Sequence, residues 1–506
     1  MLNAAIIHVP EDASTIQSGL ELLSPGDTIL LAMGTYPEAL EAPPIAFAIL
    51  GDVPVDSGDF PRPVIDASLI GDPAQQYCLN LPLGAAATIE RIRFGNHADD
   101  RGVSFEAHNA VFRNCAFDSL FGGIYQDHHA DPAIVVLDHC LFQRYSSSVF
   151  LPVSAVNAQA CQFRDVSGGA WQLVCGAFSN IDNCVFVNAA LTSVTNWGQP
   201  VTIRNCVFTE IDDSTSYAYV DLSEFSGEFK NNLFAGLRLR DIGLQIGADC
   251  TGEVVIQDNT FFNCHRVNLP GAPGPLVHLR CDTMGTAGYL FEHNLIYACT
   301  TSGVSKGLWA ENRGLVYQNH VHDLIGAFGS LAPAVYAQNS DSMLFRENIF
   351  YHNGRAMNVE QSEIVDARWN YWGDATGPHH ESENPEGLGD TVLGAVIVDP
   401  WYSDTSFLDL SDVHAPLPDH FELDAYPNPF NSTVTLKLIP PEAMIVSVEL
   451  FDVLGRKVQE IWDGPIAFEK RITFDGSRLA SGIYFARTWQ PIGNRPLALT
   501  KLVLMK

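Results

Sequence analysis

Arg280 lies two residues before Asp282, and together with Glu311 these are the side chains of this sequence best suited to proton transfer. A β-elimination needs a base and a cation that acidifies the proton it removes, often calcium held by several carboxylates. No neighbouring segment supplies such a cluster, so calcium enters only if the chain is a lyase. Glycoside hydrolysis needs two carboxylates at a set separation; Asp212 and Asp213 are two, but adjacent on a turn. His320 and His322 alternate onto one side of a strand and could share a metal, yet no third ligand is visible, and the CxxC and Cys/His spacings of zinc sites are absent. No metal or other cofactor is assigned, and His379-His380 reads as structural.

A second kind of chemistry is written in short alternating segments: YAYVDL (217–222), IGLQIG (242–247), LVHLRC (276–281), GLWAE (307–311), AVYAQ (334–338) and AMNVE (356–360). Period-2 alternation turns Val220, Leu244, Leu279, Leu308, Val335 and Val359 inward. It turns Tyr219, Asp221, Gln245, His278, Arg280, Trp309, Glu311, Tyr336, Asn358 and Glu360 outward. Aromatic faces stack on sugar rings while carboxylates and amides bond hydroxyl groups, so this stripe suits a glycan. Tyr219, Asp221, His278, Arg280, Trp309 and Tyr336 are its expected contacts. The expected arrangement sets Trp309 between Arg280 and Tyr336, and Arg280, the stripe's positive charge, points to an acidic glycan.

Such a stripe requires a scaffold that repeats. IDNCVFVN (181–188) and IRNCVFTE (203–210) are near copies, and the position of Cys184 and Cys206 recurs through most of the chain. Cys115, Cys140 and Cys161 occupy it upstream; Asn232, Asn259, Asn294, Asn319, Asn348 and Asn370 occupy it downstream. Two residues later stands a large apolar side chain, from Phe117 to Trp372. Short strands repeating at this interval, with little room for helices, predict a solenoid of about eleven or more coils stacked at a strand spacing of ~4.8 Å. A buried bend accepts cysteine as a small apolar residue and asparagine as an amide that bonds its stacked neighbours. The eleven cysteines are therefore expected to be mostly buried thiols, since parallel stacked side chains bridge poorly.

Composition excludes whole classes. Acidic residues outnumber basic ones 59 to 28, for a net charge of −31, which argues against nucleic acid as partner. No apolar run reaches the ~18 residues of a membrane helix.

The repeat resembles the right-handed parallel β-helix of the pectate-lyase-like superfamily. The opening VPEDASTIQSGLELLSPGDTILLAMGTYPE is similar to the start of these domains, with Ser14 expected to cap a short helix over the first coil. NYWGDATGPHHESENPEGLGDTVLGAVIVDPWY (370–402) resembles their closing segment. The resemblance implies an all-β solenoid over 1–402, and it implies little about activity, because the superfamily holds lyases, hydrolases, esterases, epimerases and adhesins. The polygalacturonase and pectin methylesterase motifs are missing downstream.

Residues 403–420 lose the repeat and read as a linker. Over 421–506, short alternating strands between Pro, Asn and Gly turns predict a small antiparallel sandwich. Pro427, Asn428, Pro429, Phe430 and Asn431, then Gly455 and Arg456, Gly482 and Tyr484, and Lys501 resemble the C-terminal sorting domain of type IX secretion cargo. That resemblance implies the secretion machinery and its sortase as partners, and a secreted protein or one held at the outer-membrane surface of a Gram-negative bacterium. The first residues, MLNAAIIHVPED, lack the basic start and apolar core of a signal peptide; the more specific C-terminal motifs favour a misplaced start or a trimmed chain. Two functions stay open: a monomeric, non-catalytic β-helix that binds extracellular or cell-envelope polysaccharide, favoured by the absence of enzyme motifs, and a polysaccharide lyase or glycoside hydrolase with a divergent site on the first sheet.

Overall fold

The computed structural model describes residues 4–506 apart from 54–61, 68–76, 96–100, 107–108, 119–121, 127–131, 145–146, 152–153, 165–172, 177, 188–190, 193–199, 210–219, 223–225, 240–243, 247–253, 267–274, 281–287, 302–305, 327–332, 361–363, 408–419, 441–443, 467–469 and 491–494. The chain divides into two compact units, Met1–Asp404 and Thr405–Lys506.

The first unit is a parallel β-solenoid. The strands that follow the repeated Cys/Asn position form one thirteen-stranded parallel sheet, from Thr35–Tyr36 to Ile349–Tyr351. Their apolar side chains stack in line: the rings of Phe94, Phe117, Phe142, Phe163, Phe186, Phe208, Phe234 and Phe261 follow one another at 4.5–5.1 Å between centroids. The strands preceding the position, such as Asn109–Arg113 and Val254–Gln257, pair in the same in-register way. A third series lies on a lateral face. In the early coils it is a separate six-stranded sheet, and in the later coils it merges with the second series through the long strands Leu308–Tyr317 and Val335–Arg346.

The repeated position is a buried bend. The residue just before it adopts a left-handed conformation in every coil from Asn114 (φ 51°) to Trp369 (φ 59°). Asn, Asp and His fill most of these sites, as local side-chain hydrogen bonding at positive φ favours. The bend leaves a carbonyl of the preceding coil facing inward, and both fillers satisfy it. Cys140 Sγ donates to Phe112 O at 3.4 Å, and Asn294 Nδ2 donates to Ile256 O at 2.9 Å. Asparagine adds more: Asn294 Oδ1 accepts from the backbone N–H of Asn259 at 3.0 Å and from its side-chain amide at 2.9 Å. Nine cysteines among the described residues are buried free thiols.

A short helix, Ile16–Glu21, packs against the first strands and turns Ile16 and Leu20 into the core. Its cap is Thr15 rather than Ser14. Thr15 Oγ1 accepts from Ser18 N at 3.1 Å while the Ser18 hydroxyl accepts from Thr15 N, and Glu38 takes the next two amides at 2.9 Å. The reciprocal pair requires hydroxyls three apart, which Thr15 and Ser18 provide. At the other end Trp372 is fully buried and stacks on Phe350 at 5.1 Å. His380 Nε2 sits 3.1 Å from Gly394 O, and its Nδ1 accepts from Glu383 N at 3.1 Å, so this histidine holds the closing loops together.

The second unit is antiparallel: three strands (Glu422–Tyr426, Thr433–Ile439, Lys470–Asp475) and four (Met444–Asp452, Lys457–Ile466, Gly482–Gln490, Arg495–Leu504), around a core that includes Val434, Leu436, Val448, Leu450, Ala486 and Leu502.

Candidate functional site

The outward stripe is built by four parallel strands: Val277–Arg280, Leu308–Tyr317, Val335–Arg346 and Arg355–Glu360. Leu279, Leu308, Val335 and Val359 are buried, and the registers place the outward residues in two rows. One row is His278, Trp309, Tyr336, Asn358; the other is Arg280, Glu311, Gln338, Glu360. The backbone register extends the first row upstream through Gln245 to Asp221. The side chains of Gln245 and Asp221, and the whole of Tyr219, Asp282 and Asp212-Asp213, lie outside the described residues.

Two expectations about this stripe need correction. Trp309 does not face Arg280: strand pairing sets His278 opposite it, because both stand second in their strands. The His278 and Trp309 rings stack at 4.7 Å and 25°, and Tyr336 meets Trp309 edge-on at 5.6 Å and 88°. Nor does Arg280 supply the cation for the aromatic pair. Lys306 does, with Nζ 3.7 Å from the Trp309 ring centroid and 3.6 Å from that of Tyr336. Arg280 is turned to Glu311, Nε to Oε2 at 3.5 Å. Tyr336 points outward but is covered, 8% exposed, whereas Trp309 is half-buried.

The two carboxylates have polar neighbours. Glu311 lies between Arg280 and His278, whose Nε2 is 3.4 Å away. Glu360 accepts from the Tyr336 hydroxyl at 2.8 Å and from Asn358 Nδ2 at 3.0 Å. Burial and then the Glu360 contact push the Tyr336 phenol up to about 12, so it stays protonated at any physiological pH. Burial pulls the Lys306 amine below the ordinary lysine range, against the opposing pull of Glu360 and Glu311. By contrast, the buried Trp309 Nε1 and both ring nitrogens of His278 lack a hydrogen-bond partner among the described residues.

His320 and His322 do share a side of their strand, with ring centroids 4.6 Å apart, inside an aromatic row that continues to Tyr297 and Tyr351. Among the described residues no group of three or more His, Cys, Asp or Glu could hold a metal ion.

The C-terminal motif residues act on their own sandwich. Asn428 donates to Lys501 O and accepts from Val503 N at 2.9 Å, and Phe430 bridges to Leu504, so the motif clips the last strand in place. Asp452 accepts from Arg456 in a turn closed by Gly455 at φ 76°. Tyr484 bonds Ala480 O at 2.9 Å. Pro427 and Pro429 follow cis peptide bonds, and Asn431, Gly482 and Lys501 flank these contacts.

Residues 424–491 match the secretion system C-terminal sorting domain family. This is the type IX sorting domain, which addresses a chain to that secretion machinery and so to the cell surface or the extracellular space. No curated protein matches the sequence significantly. Among solved structures, the solenoid is similar to a mutant tailspike protein of E. coli bacteriophage HK620 in complex with pentasaccharide, at 10% identity, covering 90% of this chain and 88% of that one, with a TM-score of 0.32. It is also similar to the enzymatically active domain of tailspike protein 4 of bacteriophage CBA120, at 8% identity, covering 95% and 62%, with a TM-score of 0.31. No helix among the described residues is long and apolar enough to cross a membrane.

Proposed function

We propose that the solenoid binds extracellular or cell-envelope polysaccharide along the His278–Trp309–Tyr336–Asn358 row, and that the sorting domain delivers it to the outer-membrane surface. The carrying observation is the double row itself. Four consecutive strands offer aromatic, amide, carboxylate and cationic groups in register, repeated at the ~4.8 Å strand spacing. A linear polymer can lie across such a ladder and meet an equivalent position on each strand. The buried Trp309 Nε1 donor and the His278 ring nitrogens, which lack a hydrogen-bond partner among the described residues, support the reading, because buried polar groups left without partners in a folded protein call for a water, an ion or a ligand.

The test is a screen of the full chain against a panel of polysaccharides, scoring bound polymer and newly released reducing or unsaturated ends. The expected outcome is binding without product, weakened by Trp309→Ala. Release of product would replace the binding reading with an enzymatic one, and absence of binding to every polymer would refute both.

A further inference from the structure

We propose that the outer face of the four-stranded sheet in the sorting domain docks a protein of the secretion machinery, one that offers an apolar surface with a carboxylate opposite Lys501. The inference rests on the delivery half of the reading above and names the surface that delivery uses.

The two sheets of the second unit share one core, so each has an inward and an outward face. Antiparallel sheets of this kind alternate apolar inward and polar outward. The three-stranded sheet obeys the rule: Val434, Leu436 and Phe474 are buried, and Thr435, Lys437, Arg471 and Thr473 alternate with them. The four-stranded sheet does not. Leu450, Ala486, Leu502 and Leu504 fill the core, yet the residues that alternate with them outward include Phe451, Ile483, Phe485, Leu499 and Val503. Strand register gathers these into one patch, with Phe451 opposite Phe485 and Ile483 opposite Val503. Ile483 is 42% exposed and Leu499 64% in the full chain, so the patch is open to a partner.

The charges on this face are mostly paired within it. Glu449 points outward but is buried between two cations, 2.9 Å from Arg487 Nη2 and 2.7 Å from Lys457 Nζ. The Arg487 guanidinium lies over the Phe451 ring, 4.7 Å from its centroid. Asp452 holds Arg456 at 2.7 Å. Lys501 differs. It stands opposite Phe485, between the outward Leu499 and Val503, and makes no ion pair among the described residues.

A contiguous exposed apolar patch marks an interaction site. Charge narrows the occupant. Residues 421–506 carry ten basic and nine acidic side chains, whereas residues 1–420 carry eighteen and fifty. A second copy would bring together two chains of net charge −31, and that repulsion opposes self-pairing. The domain that bears the face is also the one that addresses the chain to the secretion machinery. A single ammonium in an apolar field selects a partner carboxylate, because like or missing charge opposite it would leave it desolvated and unpaired.

The experiment follows the full chain in its native host, fractionated into periplasm and into cell surface with medium. Leu499→Asp and Ile483→Asp should each lower the exported fraction about tenfold, with the chain retained in the periplasm. Lys501→Glu should lower it by a similar factor, and Lys501→Arg should keep it near the parent. Thr473→Asp, on the polar outer face, should be exported like the parent. Melting temperatures of the purified variants separate docking from folding; if either apolar variant melts lower, the Lys501 pair decides. Parental export of Leu499→Asp, Ile483→Asp and Lys501→Glu overturns the inference while leaving delivery by the sorting domain standing. So does a loss in Thr473→Asp equal to that in Leu499→Asp, and so does a purified parent that sediments as a dimer which Leu499→Asp dissociates. A parent chain itself held in the periplasm removes both readings.

Discussion

The asparagine ladder makes a quantitative demand at Asn294. Its side chain is 1% exposed and makes four hydrogen bonds: two accepted from Asn259, one donated to Ile256 O, and one donated to Asn319 Oδ1 at 3.0 Å. Leucine is close in size but bonds to nothing. Asn294→Leu would leave the Asn259 backbone N–H, one hydrogen of its amide and the Ile256 carbonyl unpaired in a dry core. Asn319 Oδ1 keeps the Asn294 backbone N–H at 2.9 Å and is not orphaned. Three groups at about 1–3 kcal/mol each, partly offset by the burial of leucine, give a destabilisation of roughly 3–5 kcal/mol. Asn294→Cys should cost far less, about 1–2 kcal/mol, because both lost contacts of the backbone have sulfur counterparts elsewhere in this chain. Cys140 Sγ serves Phe112 O, and Cys299 Sγ accepts from Cys264 N at 3.4 Å. Native-state hydrogen exchange is the right assay, since it reads local opening at the Asn259 amide itself rather than melting of the whole stack. If Leu lowers the opening free energy by less than about 1 kcal/mol, or if Cys costs as much as Leu, the ladder is not held by these bonds.

Further expectations follow from other contacts. Gly314→Ala places a methyl 2.3 Å from the ring of buried Tyr289 and should lower the melting temperature; Tyr289→Leu in the same chain should recover part of the loss. Burial raises the Asp366 carboxyl, but bonds from Arg368 and Arg346 win and hold it well below the usual carboxylate range. The stability it contributes is therefore full above the ordinary aspartate pKa and fades as pH falls toward its depressed one. Asp366→Asn should accordingly cost stability in neutral urea melts and progressively less as the melts are repeated at lower pH, from below the ordinary aspartate range downward. Asn428→Ala unclips the final strand, so limited proteolysis should cut within Arg495–Leu504 sooner than in the parent, and export in the native host should fall.

The sequence by itself determined the scaffold. One position recurring with Cys or Asn, and a large apolar residue two places on, can be satisfied together only if successive coils stack in register, so repetition alone specified the parallel solenoid. The sorting motifs were legible for a similar reason: residues such as Asn428, Gly455 and Tyr484 act on turns and strand ends near them in the fold, and their types carry that local geometry. The left-handed residue ahead of each bend left a trace as well, in the Asn, Asp and His before the slot at 114, 139, 183, 205, 231, 258 and 293. Alternation also gave the outward face of Trp309 and its neighbours. It could not give their partners. Which residue stands beside Trp309 depends on the register between strands some thirty residues apart, and a shift of two residues exchanges Arg280 for His278 without disturbing either hydrophobic pattern. Lys306 was invisible for a different reason. It precedes the strand, outside the alternation, and its flexible stem reaches the rings only because folding brings Trp309 and Tyr336 together as walls at the right distance. The periodic part of the molecule is local information repeated, and the site is the place where non-periodic side chains meet, which only the tertiary structure decides.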